Sequence, residues 1–131
     1  VRYINNELYT DKPDGLSGNE DCGQMSAWYI LSSMGFYPVN PSNGAYVFGS
    51  PLFDEVVLDI PGQKQFKISA KNNSDKNIYI QSVSLNGKEQ KYSYITHKEI
   101  LKGGELEFTM GPKPNKDFGK EKKYRPESIV Y

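Results

Sequence analysis

The stretch GNEDCGQMSAWYIL, residues 18–31, decides how the chain is read. Asn19, Glu20 and Asp21 stand side by side between glycines, and an apolar run follows at once. Gln24–Met34 carries the strongest helix pattern in the chain. Asp21 or Asn19 can cap its start, and Gly35 with Pro38 stops it. Met25, Ala27, Trp28, Tyr29, Ile30, Leu31 and Met34 do not keep to one stripe. A helix that is apolar all round is ordinarily buried on every side. The rest of the sequence offers little to bury it, so the pattern predicts neighbours outside the segment.

Upstream, VRYINNELY at residues 1–9 puts Tyr3, Ile4 and Leu8 near one face of a short helix, ended by Pro13 and Asp14-Gly15. Thr10–Gly23, with its glycines and proline, reads as an irregular loop. Downstream, from Ala45 on, the pattern changes to strands: Tyr46–Phe48, Glu55–Ile60, Gln65–Ala70, Ile78–Leu85, Tyr92–Ile95 and Glu105–Met110. Phe66, Ile68 and Ala70, and again Leu106, Phe108 and Met110, alternate with polar residues, as half-buried strands do. Asn86-Gly87 between two candidates is a strong hairpin sign. The fold expected is α+β: a helical segment, residues 1–40, then an antiparallel β-sandwich-like domain, residues 41–115. Residues 116–131 read as a polar tail that wraps a surface or stays disordered.

Sixteen basic residues balance sixteen acidic ones. That argues against a nucleic-acid or membrane-surface role driven by bulk charge. No stretch approaches the ~20 apolar residues of a membrane span. One cysteine, Cys22, excludes an intrachain disulfide. The sequence opens at Val1, without an initiator methionine or a signal-peptide pattern, which together with the unpartnered helix suggests a piece of something larger.

The plain reading of Asn19-Glu20-Asp21 is that Asp21 caps the following helix, its charge favoured by the dipole. One cap does not need three such residues, and the flanking glycines suggest unusual backbone angles and the close approach of another group. An EF-hand fails on spacing. A Cys/His zinc site fails because the chain has one Cys and one His. A serine triad would have to use His97, and no G-x-S-x-G elbow exists. Asp117-Phe118-Gly119 mimics a kinase motif without its companions. A glycosidase carboxylate pair is the remaining enzyme option. Glu20 and Asp21 are adjacent, so their side chains diverge and are poorly placed to flank one sugar. The partner of either must come from elsewhere.

Residues 15–41, GLSGNEDCGQMSAWYILSSMGFYPVNP, resemble the signature of glycoside hydrolase family 92, the calcium-dependent exo-α-mannosidases. The likeness continues through GAYVFGSPLFDEVVLDIPG, NNSDKNIYIQSVSLNGK, SYITHKEI and GGELEFTMGPKPN, and so runs from about Pro13 to Asn115. It matches only the C-terminal end of that family's longer proteins. The resemblance implies an N-terminal β-sandwich and an (α/α)6 barrel with the active site between them. Gln24–Met34 would then be one of the last barrel helices. It implies an inverting mechanism in which a Glu protonates the leaving oxygen and an Asp activates water. The base matches Asp21. Many members carry an Asp two residues earlier; Asn19 stands there in this chain and is read as an orienting residue. The acid and most calcium ligands fall outside this segment, so calcium is expected in the full-length enzyme and no metal ligand is assigned here. The expected partners are α-mannoside glycans and the remainder of the enzyme. The expected location, also by resemblance, is periplasmic, cell-surface or secreted in a bacterium.

Each remaining residue has a plainer reading. Glu20 could assist the site, but is expected to point away as a solvated or barrel-lining side chain. Trp28 and Tyr29 could stack on a sugar but suit a core, and Phe36 and Tyr37 suit the helix–sheet junction. His97 suits a structural hydrogen bond, and Cys22 a small buried filler. Two functions follow: a glycosidase segment that supplies the base, or a β-sandwich module that binds glycan or protein without catalysis. Only the first needs Asp21 in its loop. An exposed apolar surface around Gln24–Met34 would favour it and lead to self-association of the isolated chain.

Overall fold

The alternation of apolar and polar residues builds most of the β structure. The computed structural model describes residues 1–128. In chain order its elements are α1 (Arg2–Glu7), α2 (Gln24–Ser33), β1 (Phe36–Asn40), β2 (Ala45–Phe48), β3 (Glu55–Ile60), β4 (Lys64–Lys71), β5 (Tyr79–Leu85), β6 (Lys88–Glu89), β7 (Tyr94–Thr96), α3 (His97–Ile100) and β8 (Gly104–Gly111). A three-stranded sheet has the order β1-β2-β7, and a five-stranded sheet the order β3-β4-β8-β5-β6. Phe66 and Ile68 of β4 and Leu106, Phe108 and Met110 of β8 are buried, as their spacing predicts. They share one apolar core with Phe36 of β1 and Ile95 of β7. Phe48 of the smaller sheet meets Phe108 of the larger edge to face, with ring centroids 5.3 Å apart. The α+β fold is thus as expected from the sequence.

Three details differ from the sequence expectation. First, β4 and β8 run parallel, with Phe66 opposite Gly104 and Lys71 opposite Thr109, although their neighbours pair antiparallel. Alternation fixes which face of a strand is buried and leaves its direction open. The long connection through β5, β7 and α3 supplies the crossover a parallel pair requires. Second, Phe36–Asn40 forms a strand. Pro38 is tolerated because β1 lies at a sheet edge and its register with β2 slips between Tyr37 and Asn40. Third, Thr96 and Glu99 form a reciprocal capping box that starts α3, with Thr96 N donating to Glu99 Oε2 at 2.8 Å. Asn86 and Gly87 take positive φ, 52° and 75°, and close the β5–β6 hairpin.

Two of the points that tie the helical part to the β domain are Arg2 and Gly35. Arg2 of α1 is buried, and its guanidinium donates to the Pro51 carbonyl and to Asn73 Oδ1. Burial pulls its pKa down, while Asp75 and Asp54 oppose that pull. The second point is Gly35, between α2 and β1. Its φ is 98°, and a Cβ there would lie 3.0 Å from Phe108 and 3.1 Å from Pro51. No helix of the described residues is long and apolar enough to cross a membrane. The final stretch lies against the β5 and β7 region: Ser93 N donates to the Tyr124 carbonyl at 2.8 Å, and Asn115 Nδ2 to the Gln81 carbonyl at 2.7 Å. Residues 129–131 of the expected tail lie outside the described residues.

Gly35→Ala combines a left-handed residue, costing about 1–2 kcal/mol, with overpacking against Phe108, costing about 1–3 kcal/mol. The expected loss is at least about 2 kcal/mol, read as a lower urea midpoint with an unchanged slope. A midpoint equal to that of the parent chain would refute this account of the joint.

Candidate functional site

The three amides that open α2 share Glu20 as an acceptor, and Gln24 N also lies 3.4 Å from the Asp21 carbonyl. Gln24 N and Met25 N donate to the backbone carbonyl of Glu20, at 3.0 and 3.4 Å. Ser26 N donates to Glu20 Oε1 at 3.0 Å. The residue at the N-cap position is Gly23, which has no side chain to offer. The capping expectation is therefore corrected: Glu20 satisfies the helix start, and Asp21 and Asn19 do not. Asp21 lies too close in sequence, inside the turn that Glu20 closes. Glu20, expected to point away, is half-buried, and its Oε2 is shielded from solvent without a partner among the described residues.

The closed turn has an unusual backbone. Asp21, Cys22 and Gly23 take φ of 49°, 59° and 91°, three consecutive residues in the left-handed region. Glycine adopts this freely, whereas non-glycine residues there cost on the order of 1–3 kcal/mol each. Such strain concentrates at functional sites. The Asp21 side chain stands at the exposed tip of the turn and makes no hydrogen bond or ion pair among the described residues. A free carboxylate on an over-determined turn can accept a proton from a group brought to it. Asn19 is likewise exposed and precedes the turn.

Behind the turn lies an aromatic group. Tyr9 stacks on Trp28 with centroids 5.7 Å apart and meets Tyr29 at 4.8 Å, while Trp28 reaches Tyr37 at 6.4 Å. Tyr9 Oη donates to the Met25 carbonyl at 3.2 Å. Burial pushes the Tyr9 phenol pKa up, and Glu20 and then Tyr37 add to the effect. Tyr9, Leu16, Tyr29 and Ile30 line an open hollow of about 450 Å³ beside α2. Reading the sequence alone missed Tyr9, because nothing in its spacing links it to a helix fifteen residues on.

The other sequence candidates fall out separately. Phe36 is buried at the helix–sheet junction, as expected. His97 has a structural role: its Nδ1 lies 3.2 Å from Tyr46 Oη and the two rings stack. Cys22 is exposed, which corrects its reading as a buried filler; the left-handed turn carries it to the surface. Among the described residues no three His, Cys, Asp or Glu side chains gather to hold a metal. With Glu20 committed to an amide and Asp21 standing alone, these two carboxylates do not form a calcium site among the described residues.

The chain belongs to glycosyl hydrolase family 92: the family's catalytic-domain profile matches residues 1–112. Its fold superposes on a family 92 inverting mannosidase of Bacteroides thetaiotaomicron with a TM-score of 0.90 and 43% identity, over 97% of this chain and 17% of that one. A second α-mannosidase of the same family and organism, solved in complex with mannoimidazole, gives a TM-score of 0.91 at 41% identity, over 98% of this chain and 17% of that one. An uncharacterized secreted glycosidase of Arthroderma benhamiae is 35% identical over 106 residues, which are 79% of this chain and 14% of that protein. The chain thus spans about one sixth of the length of the solved relatives.

Exposure of Cys22 makes a direct prediction. A thiol reagent added to the folded 131-residue chain labels one equivalent without denaturant. Labelling that requires unfolding would place Cys22, and with it the turn, inside the protein.

Proposed function

We propose that this chain is the C-terminal part of an inverting exo-α-mannosidase that removes terminal α-linked mannose from glycans, and that it supplies the general base, Asp21. The observation that carries this is the uncommitted Asp21 carboxylate held at the tip of a strained turn. Membership of the family and 43% identity to an inverting mannosidase support the same reading. Asp21 takes a proton from water as that water attacks the anomeric carbon opposite the leaving oxygen, giving β-mannose. A Glu outside this segment donates the proton to the leaving oxygen. In inverting enzymes the two carboxyl groups stand roughly 6.5–9.5 Å apart, with the water between base and sugar. Asn19 orients Asp21 or the water.

The division into barrel end (1–40), β domain (41–115) and tail (116–131) is part of the same reading, with β1 as the strand that the first two share. Calcium would serve the full-length enzyme, most of its ligands coming from outside this segment. The parent enzyme works outside the cytoplasm, periplasmic, surface-bound or secreted in a bacterium, a reading supported by the likeness to a secreted glycosidase. A binding-only module has no use for a strained turn that presents a free acid, which disfavours that alternative.

In the full-length enzyme carrying this segment, Asp21→Asn lowers kcat by about 10²–10⁴-fold. The loss is the same for an activated aryl α-mannoside and for an unactivated one, because the base acts on water in both. Azide restores turnover to Asp21→Ala and gives the β-mannosyl azide. A wild-type rate would reduce Asp21 to a surface acid, and a loss confined to poor leaving groups would make it the acid instead.

The isolated 131-residue chain has no measurable mannosidase activity, since the acid partner is missing. Its exposed apolar side chains on α1, α2 and β1 drive self-association. Tyr3 is 72% exposed, Ile30 58% and Val39 71%. Each large apolar side chain left in water forfeits ~1.5–3 kcal/mol of burial. Light scattering is expected to show a dimer or higher oligomer, with Trp28 fluorescence shielded from quencher. A stable monomer at high concentration with Trp28 open to quencher would contradict this.

A further inference from the structure

Glu20 is the one member of the Asn19–Asp21 trio that the structure ties down. Its side-chain oxygen and its own carbonyl receive the amides of Ser26, Gln24 and Met25. The chain leaves Glu20, passes three residues in left-handed conformation and returns onto the same residue. Asp21 O also lies 3.4 Å from Gln24 N, within the same closure. No other side chain among the described residues bonds to the amides of this helix start. The Glu20 carboxylate is shielded from solvent on its second oxygen, which has no partner among the described residues.

We propose that Glu20 is a positioning residue: its carboxylate, by holding Ser26 N, fixes the left-handed turn that carries Asp21 to the reacting water. This inference rests on the reading of Asp21 as the general base. The turn is held by a balance of opposing terms. Two non-glycine residues in the left-handed region favour relaxation, and the bond between a carboxylate and a backbone amide is of the stronger, charge-assisted kind. Without it the turn has only the backbone bonds from Gln24 and Met25 to Glu20 and Asp21, and Asp21 loses its fixed place. A displacement of about 1 Å at a reacting group is enough to cost ~10²-fold in rate. The reach of the side chain decides the effect, because the acceptor must span from position 20 to the amide at position 26.

The test uses the full-length enzyme carrying this segment, with Asp21→Asn as reference. Glu20→Ala is expected to lower kcat ~10–100-fold with KM within about twofold, since the sugar contacts stay. Glu20→Gln keeps the length and a carbonyl oxygen for Ser26 N, and recovers most of the rate. Glu20→Asp keeps the charge, is one methylene too short, and behaves like the alanine variant. Hydrogen exchange, a readout independent of activity, is expected to quicken at Ser26 in the alanine and aspartate variants and to stay slow in the glutamine variant. If the alanine variant does not fold, the glutamine and aspartate pair still decides the matter. Wild-type kcat in Glu20→Ala or Glu20→Asp, with Asp21→Asn inactive, overturns the positioning role and leaves the base standing. Loss in Glu20→Gln equal to that in Glu20→Ala, or unchanged Ser26 exchange in Glu20→Ala, overturns it too. An active Asp21→Asn removes the base and the positioning role together.

Discussion

The joint at Gly35 is the constraint on which the arrangement depends. The chain must turn from α2 into β1 while the Phe108 ring and Pro51 press against that same backbone. Only a residue without a Cβ, at φ 98°, leaves room. The joint also organises its surroundings: Gly49 N donates to the Gly35 carbonyl at 2.9 Å, and Leu52 N to that of Ser33 at 2.8 Å. Through these bonds the end of α2 is fixed to the loop that follows β2. The start of α2, and so the turn bearing Asp21, is thereby referred to the core of the β domain by one rigid helix.

That mechanical link lets the β domain position the turn bearing Asp21 without contributing a residue to it. Met34 at the foot of α2 is buried in the same cluster as Phe66 and Phe108. The opposite end of the helix follows directly on the turn of Glu20 and Asp21, and one turn further on Trp28 stacks on Tyr9 and reaches Tyr37 of β1. A helix buried at one end and open at the other suits a segment whose remaining surface meets a larger body. Its solved relatives in family 92 are about six times longer, and Ile30 of α2 and Tyr3 of α1 are exposed apolar side chains on the helical part.

Division of labour among adjacent acids is the second lesson. Two carboxylates side by side need different environments if only one is to react. Glu20 spends its charge on a helix amide, and Asp21 is left uncommitted. The helix start would be satisfied equally well by an Asp or Ser at the position before it, at lower backbone cost. The strained turn is thus unexplained by stability alone, which is why its tip is the better candidate for function.

Much of this was legible in the residues. Alternation in Gln65–Ala70 and Glu105–Met110 marks two buried strands, Asn86-Gly87 marks a hairpin, and the apolar Gln24–Met34 marks a helix in want of neighbours, because side-chain period and turn chemistry are local properties. Thr96-His97-Lys98-Glu99 carries a capping box that spacing alone could have revealed. What the sequence could not decide was direction and partnership. The parallel pairing of β4 with β8 depends on where a thirty-residue connection returns. The assignment of the cap to Glu20 over Asp21 depends on three successive left-handed residues that bring a distant carboxylate back onto the helix start. Both are decided by the path of the chain in space, and a residue's type constrains that path only weakly.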